Sequence, residues 1–182
     1  ADYHKIANVV YLGILGNGEK VPERWMERFF GRYQESLSYS DTSEDAEREI
    51  LTLLDMMEVP CIILSTSRIR LLYQIQEMSA NNPLRLKLDE ESYSLAKGYL
   101  VDLGYETERI YKGYGERMER PSGFCVELYH KLPFRTRPFG KGMQRIMETA
   151  FIRNSSNYVR TISIENRYIF MAAQAAYHYT ED

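Results

Sequence analysis

The sequence has few of the residues that would indicate a disulfide framework, a zinc site or a membrane span. Cys61 and Cys125 are its only cysteines, too few for a quartet of metal ligands or a disulfide network. Both lie in apolar runs, so we expect buried free thiols in a reducing cytoplasm. No apolar run approaches the roughly 18 residues of a membrane span, and no signal peptide is visible. We therefore expect a cytoplasmic protein with no membrane partner.

The chain also has no excess of positive charge. Its net charge of −3 gives no general attraction to nucleic acid. A local basic stretch interleaved with phenylalanines could contact the phosphates of a nucleotide or an RNA; it contains Lys131, Phe134, Arg135, Arg137, Phe139, Lys141 and Arg145. In an acidic chain we prefer a solvated loop, and we expect no nucleic-acid partner.

The composition is that of an ordinary globular protein. Of 182 residues, 44% are hydrophobic and 27% charged, which allows one domain with a real core. The 15 tyrosines outnumber the 7 phenylalanines and the single tryptophan. Because tyrosine buries a ring while its hydroxyl forms hydrogen bonds, this composition favours a core with wet edges or a binding groove.

Helix signals dominate residues 1–58, which we expect to form a helical N-terminal segment. A first helix over 2–15 is closed by Gly16-Asn17-Gly18, and Pro22 opens a second. A third begins near Thr42 or Ser43, both N-cap residue types. Its predicted apolar face is Ala46, Ile50, Leu53, Leu54 and Met57.

Residues 59–182 mix strand and helix signals. Buried strands are predicted at 61–64 and 84–88, with a helix begun by Ser65-Thr66-Ser67 between them. Asp89 is expected to cap a helix over 90–103 that Gly104 ends. Its apolar face would be Tyr93, Ala96, Tyr99, Leu100 and Leu103.

The last third is predicted to contain an antiparallel pair of strands and two helices. The strands are 105–114 and 123–130, on either side of a Pro-Ser-Gly turn. A helix follows near 142–152, and Ser163 caps the last one. That helix has a predicted stripe of Ile164, Tyr168, Met171, Ala172, Ala175 and Tyr179. The order predicts an α+β fold, a small mixed sheet packed with helices.

Several segments, taken in order, resemble an uncharacterised bacterial nucleotidyltransferase-like family related to the polymerase-β-type nucleotidyltransferases. They are Y-H-K-I-A-N-V-V-Y, K-V-P-E-R-W, V-P-C-I-I-L-S-T-S-R-I-R-L-L-Y-Q, L-V-D-L-G-Y and V-E-L-Y-H. Gln174 and His178 stand where the family's last helix often has H-x-x-x-H. The resemblance covers nearly the whole chain and implies a nucleotidyltransferase-type sheet.

The resemblance also implies a chemistry. Two acids of a D-x-D motif and a third on the next strand would hold Mg²⁺ ions that position a nucleoside triphosphate, because divalent cations need oxygen ligands from several directions. The acceptor substrate is not indicated. A turn after the first strand would bind phosphates at a helix N-terminus.

The sequence departs from this pattern at the metal ligands. The expected D-x-D falls on Pro83 and Arg85, neither of which binds a cation, and Ser65-Thr66 replaces the expected Lys-Gly. Of the three carboxylates only Glu127 remains. We therefore expect no intact metal site, and Mg²⁺ only if the protein is active.

The candidate catalytic residues are Glu127 and Asp89. Glu127 could be a metal ligand, or a strand glutamate facing solvent or paired with Arg109 or Lys112, which we prefer. Asp89 with Glu91 could restore two acids, although both suit the start of a helix. The candidate nucleotide and phosphate site is Ser65, Thr66, Ser67 and Arg85, helped by Arg68 or Arg70; simple helix capping is equally compatible with the three hydroxyls.

Three functions remain open. The first is a nucleotidyltransferase-like protein with a degraded carboxylate set, weak or inactive, that retains nucleotide or phosphate binding. The second is an active Mg²⁺-dependent enzyme with a rearranged site, and the third is a protein-interaction module. In the family that the chain resembles, the last helix leads into further helices, so the sequence leaves open whether the chain is truncated at Asp182.

Overall fold

The computed structural model describes residues 7–18, 20–67, 82–132, 134 and 137–179. Within these ranges the helices are α1 (Ala7–Asn17), α2 (Glu23–Met56), α3 (Glu90–Asp102), α4 (Arg137–Glu148) and α5 (Ile164–Tyr179). The strands are β1 (Cys61–Ser65), β2 (Leu84–Lys87), β3 (Glu106–Tyr111), β4 (Gly115–Glu119), β5 (Cys125–Tyr129), β6 (Phe151–Ile152) and β7 (Val159–Thr161).

All seven strands form one mixed sheet in the order β3-β4-β5-β2-β1-β7-β6. β2 runs parallel to β5, and β1 runs parallel to β7. The other neighbouring strands are antiparallel. The predicted α+β fold with a mixed sheet is therefore confirmed.

Each face of the sheet carries an apolar core, because side chains alternate between the two faces of a strand. On the first face, strand residues such as Leu86 and Leu128 pack with α2 and α3. On the second face, Leu64 and Tyr129 pack with residues of α4 and α5, namely Met143, Ile146, Phe170 and Ala173. The alternation places Arg85 and Glu127 on this second face.

Two of the predicted N-terminal helices are one helix. The second and third join as α2, whose 34 residues span about 51 Å at 1.5 Å per residue. Ser43, read as a cap, is only 1% exposed and lies inside the helix. No glycine or proline stands between Gly31 and Met56, so nothing in the backbone breaks the helix there.

The segment after Tyr105 also differs from the prediction. The predicted run 105–114 contains β3 and then a turn, in which Gly113 has a φ of 81°. The chain reverses there into β4, a strand that was not predicted, before it reaches β5. Gly113 therefore marks a hairpin turn inside the segment that the sequence pattern assigns to a single strand.

Further differences lie towards the end of the chain. α4 begins earlier and ends earlier than predicted, and Phe151–Ile152 is a short edge strand instead of helix. Among the side chains of α5 that the structure describes, Phe170, Ala173 and Gln174 are buried, whereas Ile164 and Tyr168 are 58% and 75% exposed. Ile164 and Tyr168 of the predicted stripe therefore do not lie on the buried face, and the side chains of its members Ala175 and Tyr179 are outside the described residues.

Other local predictions are confirmed. Asp89 caps α3, since its Oδ1 accepts a hydrogen bond from the Ser92 amide at 2.8 Å. Gly104 follows that helix with a φ of 85°. Ser163 caps α5 through the Asn166 amide at 3.3 Å. Cys61 and Cys125 are buried free thiols.

The helix predicted after Ser67 lies outside the described residues. Among the helices that are described, none is both long enough and apolar enough to cross a membrane.

Candidate functional site

A row of polar residues crosses the second face of the sheet. In the strand register, Arg85 lies opposite Ser65 on one side and Glu127 on the other. Arg117 is the next neighbour of Glu127, and Arg109 the next neighbour of Arg117. Because directly opposed residues share a face, these five positions form one line, about 19 Å long at 4.8 Å per strand. We call it the polar row.

A β-bulge in β1 places Ser65 in this row. Ile63 lies opposite Leu86, yet Ser65 lies opposite Arg85, so Leu64 is an extra residue in β1. Such a bulge re-aims the residue that follows it. Without it, Leu64 would lie opposite Arg85 and the hydroxyl would leave the row.

Glu127 is the only carboxylate of the polar row, and it is 4% exposed. Its Oε2 accepts hydrogen bonds from Arg85 Nε and from the Tyr129 hydroxyl, each at 2.7 Å. Its Oε1 accepts one from the Tyr111 hydroxyl at 3.3 Å and lies 3.9 Å from an Arg117 nitrogen. The sequence interpretation of a solvent-facing glutamate, or of one paired with Arg109 or Lys112, is therefore wrong.

These partners keep Glu127 ionised. Burial by itself raises the pKa of its carboxyl group, but the charge of Arg85 and the hydrogen bonds from Tyr129 and Arg85 outweigh that effect, so the pKa lies below its ordinary value of 4.5. The carboxylate is an ion-paired anion at neutral pH.

Two tyrosines cover the carboxylate by stacking above a glycine. Tyr111 and Tyr129 belong to β3 and β5, and both pair in register with Gly115 on the strand between. Their rings are nearly parallel, with centroids 5.9 Å apart and 4° between the planes. Burial raises the pKa of Tyr111 to about 12, so its hydroxyl stays a donor to Glu127.

Gln174 links this cluster to α5. Its side-chain nitrogen donates to the Tyr129 hydroxyl at 3.3 Å, and that hydroxyl donates to Glu127. The position that the resemblance associates with a histidine motif is thus linked to the carboxylate through two successive hydrogen bonds. The side chain of His178 lies outside the described residues.

Arg117 has acidic and sulfur partners besides Glu127. Its Nε lies 2.7 Å from Oε2 of Glu108, and a terminal nitrogen donates to Cys125 Sγ at 2.9 Å. Sequence reasoning missed Arg117, Tyr111 and Tyr129. Tyr129 could have been found, because it stands two residues after Glu127 on the same strand and so shares its face.

The Ser65-Thr66-Ser67 segment is buried at the end of β1. Both the amide and the hydroxyl of Ser67 donate to Glu47 Oε2, at 2.9 and 2.8 Å. The hydroxyls of Ser65 and Thr66 have no hydrogen-bond partner in the described part of the chain. Glu47, on α2, had no signal in the sequence. Arg68 and Arg70 are outside the described residues.

Asp89 and Glu91 do not join Glu127. Asp89 uses its carboxylate to cap α3, and Glu91 is exposed in the first turn of that helix. Asp89 is four positions after Arg85 in the sequence, about 13 Å of extended chain. Across the described ranges, no three His, Cys, Asp or Glu side chains are grouped so that they could hold a metal ion.

The mixed sheet, the helices on both faces and the Glu127 strand define an α+β protein of the nucleotidyltransferase type. The family model described as an uncharacterised nucleotidyltransferase matches residues 1–182. The chain belongs to this family. Comparisons with curated proteins and with solved structures give no match.

Proposed function

We propose that this protein is a nucleotidyltransferase-fold protein whose carboxylate set is degraded, and that it binds nucleotide phosphates while catalysing little or no transfer. The observation that carries the proposal is the contact between Arg85 and Glu127. Arg85 stands at the second position of the expected D-x-D, and its Nε is 2.7 Å from the last remaining acid. A guanidinium therefore lies where the resemblance implies a metal-binding carboxylate.

The surroundings of Glu127 do not fit Mg²⁺. This cation prefers near-octahedral coordination by oxygens, usually with one or two carboxylates and several waters. Glu127 instead faces two guanidinium groups, and its tyrosine neighbours already donate their hydroxyl protons to it. Pro83, at the other expected acid position, is a buried apolar residue. We therefore assign no step to a metal ion at Glu127.

Phosphate binding is supported by the hydroxyl groups at the Ser65 end of the polar row. Ser65 and Thr66 have buried hydroxyls without a partner among the described residues, and such groups are costly unless a ligand or water satisfies them. Ser65 lies opposite Arg85 in the sheet. A phosphate placed there would receive hydroxyl donors and a guanidinium together.

Two assays test the proposal. Calorimetric titration with Mg-ATP and the other triphosphates should give measurable binding. Incubation with α-labelled triphosphates and Mg²⁺ should give no labelled product above the level of Glu127→Gln. Absence of heat at high triphosphate concentration both with and without Mg²⁺ would remove the binding part, and robust Glu127-dependent labelling would remove the inactive part.

The second candidate function is that of an active enzyme with a rearranged site. It needs Asp89 or Glu91 to approach Glu127. Such an enzyme would lose Mg²⁺-dependent transfer in both Glu127→Gln and Asp89→Asn. Under our proposal the wild type already shows little or no transfer.

A protein-interaction module is the third. Exposed apolar residues on α5 and β6 support it, namely Ile164, Tyr168, Phe151 and Ile152. It predicts no triphosphate binding under any condition. For all three functions we propose a cytoplasmic location, which the free thiols Cys61 and Cys125 favour.

A further inference from the structure

The charges of the polar row favour a ligand that arrives without a metal ion. The row contains three guanidinium groups, Arg85, Arg109 and Arg117, and a single carboxylate. Glu108 beside Arg117 cancels one further positive charge. The row thus keeps a net positive charge although the chain as a whole is acidic.

We infer that the site binds a free nucleoside triphosphate in preference to its magnesium complex, with the arginines supplying the positive charge that a metal ion would otherwise bring. This inference rests on the proposed phosphate binding and specifies its ligand. The charge is part of the sheet, and therefore remains when divalent cations are removed.

The arginines are placed to reach a ligand. The side chains of Arg85 and Arg117 are 15% and 22% exposed, compared with 5% for Glu127, and Arg109 is exposed at the end of the row. Arg85 contacts Glu127 through Nε, so its two terminal nitrogens are not used in that bond. Those nitrogens can form the paired hydrogen bonds that suit phosphate oxygens.

Ser65 gives the row a second kind of donor. Its hydroxyl is completely buried, has no partner in the described ranges and lies beside Arg85. Phosphate oxygens at this end could accept from Ser65 and Arg85 at once. Ser65 and Arg85 lie on neighbouring strands, about 4.8 Å apart, so one phosphate group can reach both.

A magnesium complex is expected to bind less well for two reasons. The metal cancels part of the negative charge that the arginines attract, and it approaches guanidinium groups that repel it. Partly exposed charge pairs are individually weak, so the expected preference for the free triphosphate is about two- to tenfold in dissociation constant.

Isothermal titration of the whole chain with ATP, once in EDTA and once in excess MgCl₂ at equal ionic strength, tests the inference. A dissociation constant about two- to tenfold lower in EDTA than in MgCl₂ supports it, and equal dissociation constants overturn it. Tighter binding in MgCl₂, or binding only there, overturns it while leaving phosphate binding in place. No heat in either buffer overturns both this inference and the binding part of the proposed function.

Variants then locate the site. Arg109→Gln changes an exposed residue and should weaken ATP binding in EDTA about two- to fivefold. The double variant Arg85→Gln, Glu127→Gln removes both charges of the buried pair together, so that neither charge is left unpaired, and should weaken binding more. Arg24→Gln, on α2 beside Trp25, is the control and should bind as the wild type. Wild-type affinity in both row variants, with unchanged circular dichroism, would contradict the assignment.

Discussion

Arg85 and Glu127 stand opposite each other on parallel strands and join by an Nε–Oε2 hydrogen bond of 2.7 Å. Both side chains are largely buried, at 15% and 5% exposure. In a buried pair, each charge depends on the other for its stability, because removal of one leaves the other without a partner. The pair is therefore a structural element as well as the core of the candidate site.

Replacement of Arg85 alone should destabilise the fold. Arg85→Gln leaves the buried Glu127 with the more distant Arg117 and two hydroxyls, and we expect a loss of about 3 kcal/mol in the free energy of unfolding. Urea unfolding followed by circular dichroism measures it. The double variant Arg85→Gln, Glu127→Gln should recover most of this loss. Equal destabilisation in the two variants would show that the charges are not coupled.

The stability of the pair should depend on pH in the acid range. Because the folded-state pKa of Glu127 lies below 4.5, its contribution is complete above that pH and is lost as the pH falls through the folded-state pKa. The difference in melting temperature, wild type minus the Arg85→Gln, Glu127→Gln double variant, should therefore decrease as the pH is lowered below about 4.5. The other described acids whose pKa is lowered, Glu116, Asp55, Asp89 and Glu165, are present in both proteins and cancel. A difference independent of pH from 3 to 7 would contradict this explanation.

Gly115 should not tolerate a side chain. A Cβ atom there would overlap the backbone carbonyl oxygen of Leu128 on the neighbouring strand β5. We expect Gly115→Ala to cost about 2 kcal/mol or more in unfolding free energy. Gly98→Ala is the matched control, since Gly98 lies exposed in α3 with nothing within 4 Å of the added atom; it should stabilise the protein by about 1 kcal/mol. Equal effects of the two substitutions would argue against the close approach of β4 and β5.

Asp89 should act as a helix cap and not as a ligand. Asp89→Ala removes the acceptor of the Ser92 amide, which should cost about 1 kcal/mol of stability. Triphosphate affinity should not change, because Asp89 is remote from the polar row. Paired measurements of unfolding and of ATP titration test this, with Glu91→Ala as a control that lacks the capping bond. Reduced ATP affinity in Asp89→Ala at unchanged fold would instead support a rearranged site.

Local sequence signals predict the structure correctly at positions where a single residue determines a cap or the end of a helix. Asp89 and Ser163 as caps, Gly104 as a helix end and the strand at β2 are confirmed, because each follows from backbone hydrogen bonding or from side-chain period. The α2 helix was divided because serine and threonine suit both a cap and a helix interior packed against a core. Short strands such as β6 and β7 have too few residues to show a period.

The site was predicted in part. Arg85 and Glu127 were singled out separately, but no local pattern states that β2 pairs with β5 in the register that brings them together. Arg117, Glu47 and the two tyrosines also act through long-range contacts. No local sequence pattern predicts the bulge at Leu64, which places Ser65 on the second face of the sheet. Strand register depends on the complete set of side chains that a sheet buries, so local sequence patterns do not predict it.

The most direct test of the account is the anomalous diffraction of crystals grown with Mn²⁺ and a non-hydrolysable ATP analogue. We expect the analogue's phosphates at the arginines and Ser65, with no manganese peak at coordination distance from Glu127. A manganese ion bound by Glu127 together with Asp89 or Glu91 would contradict the central claim that an arginine has taken the place of the metal-binding acid.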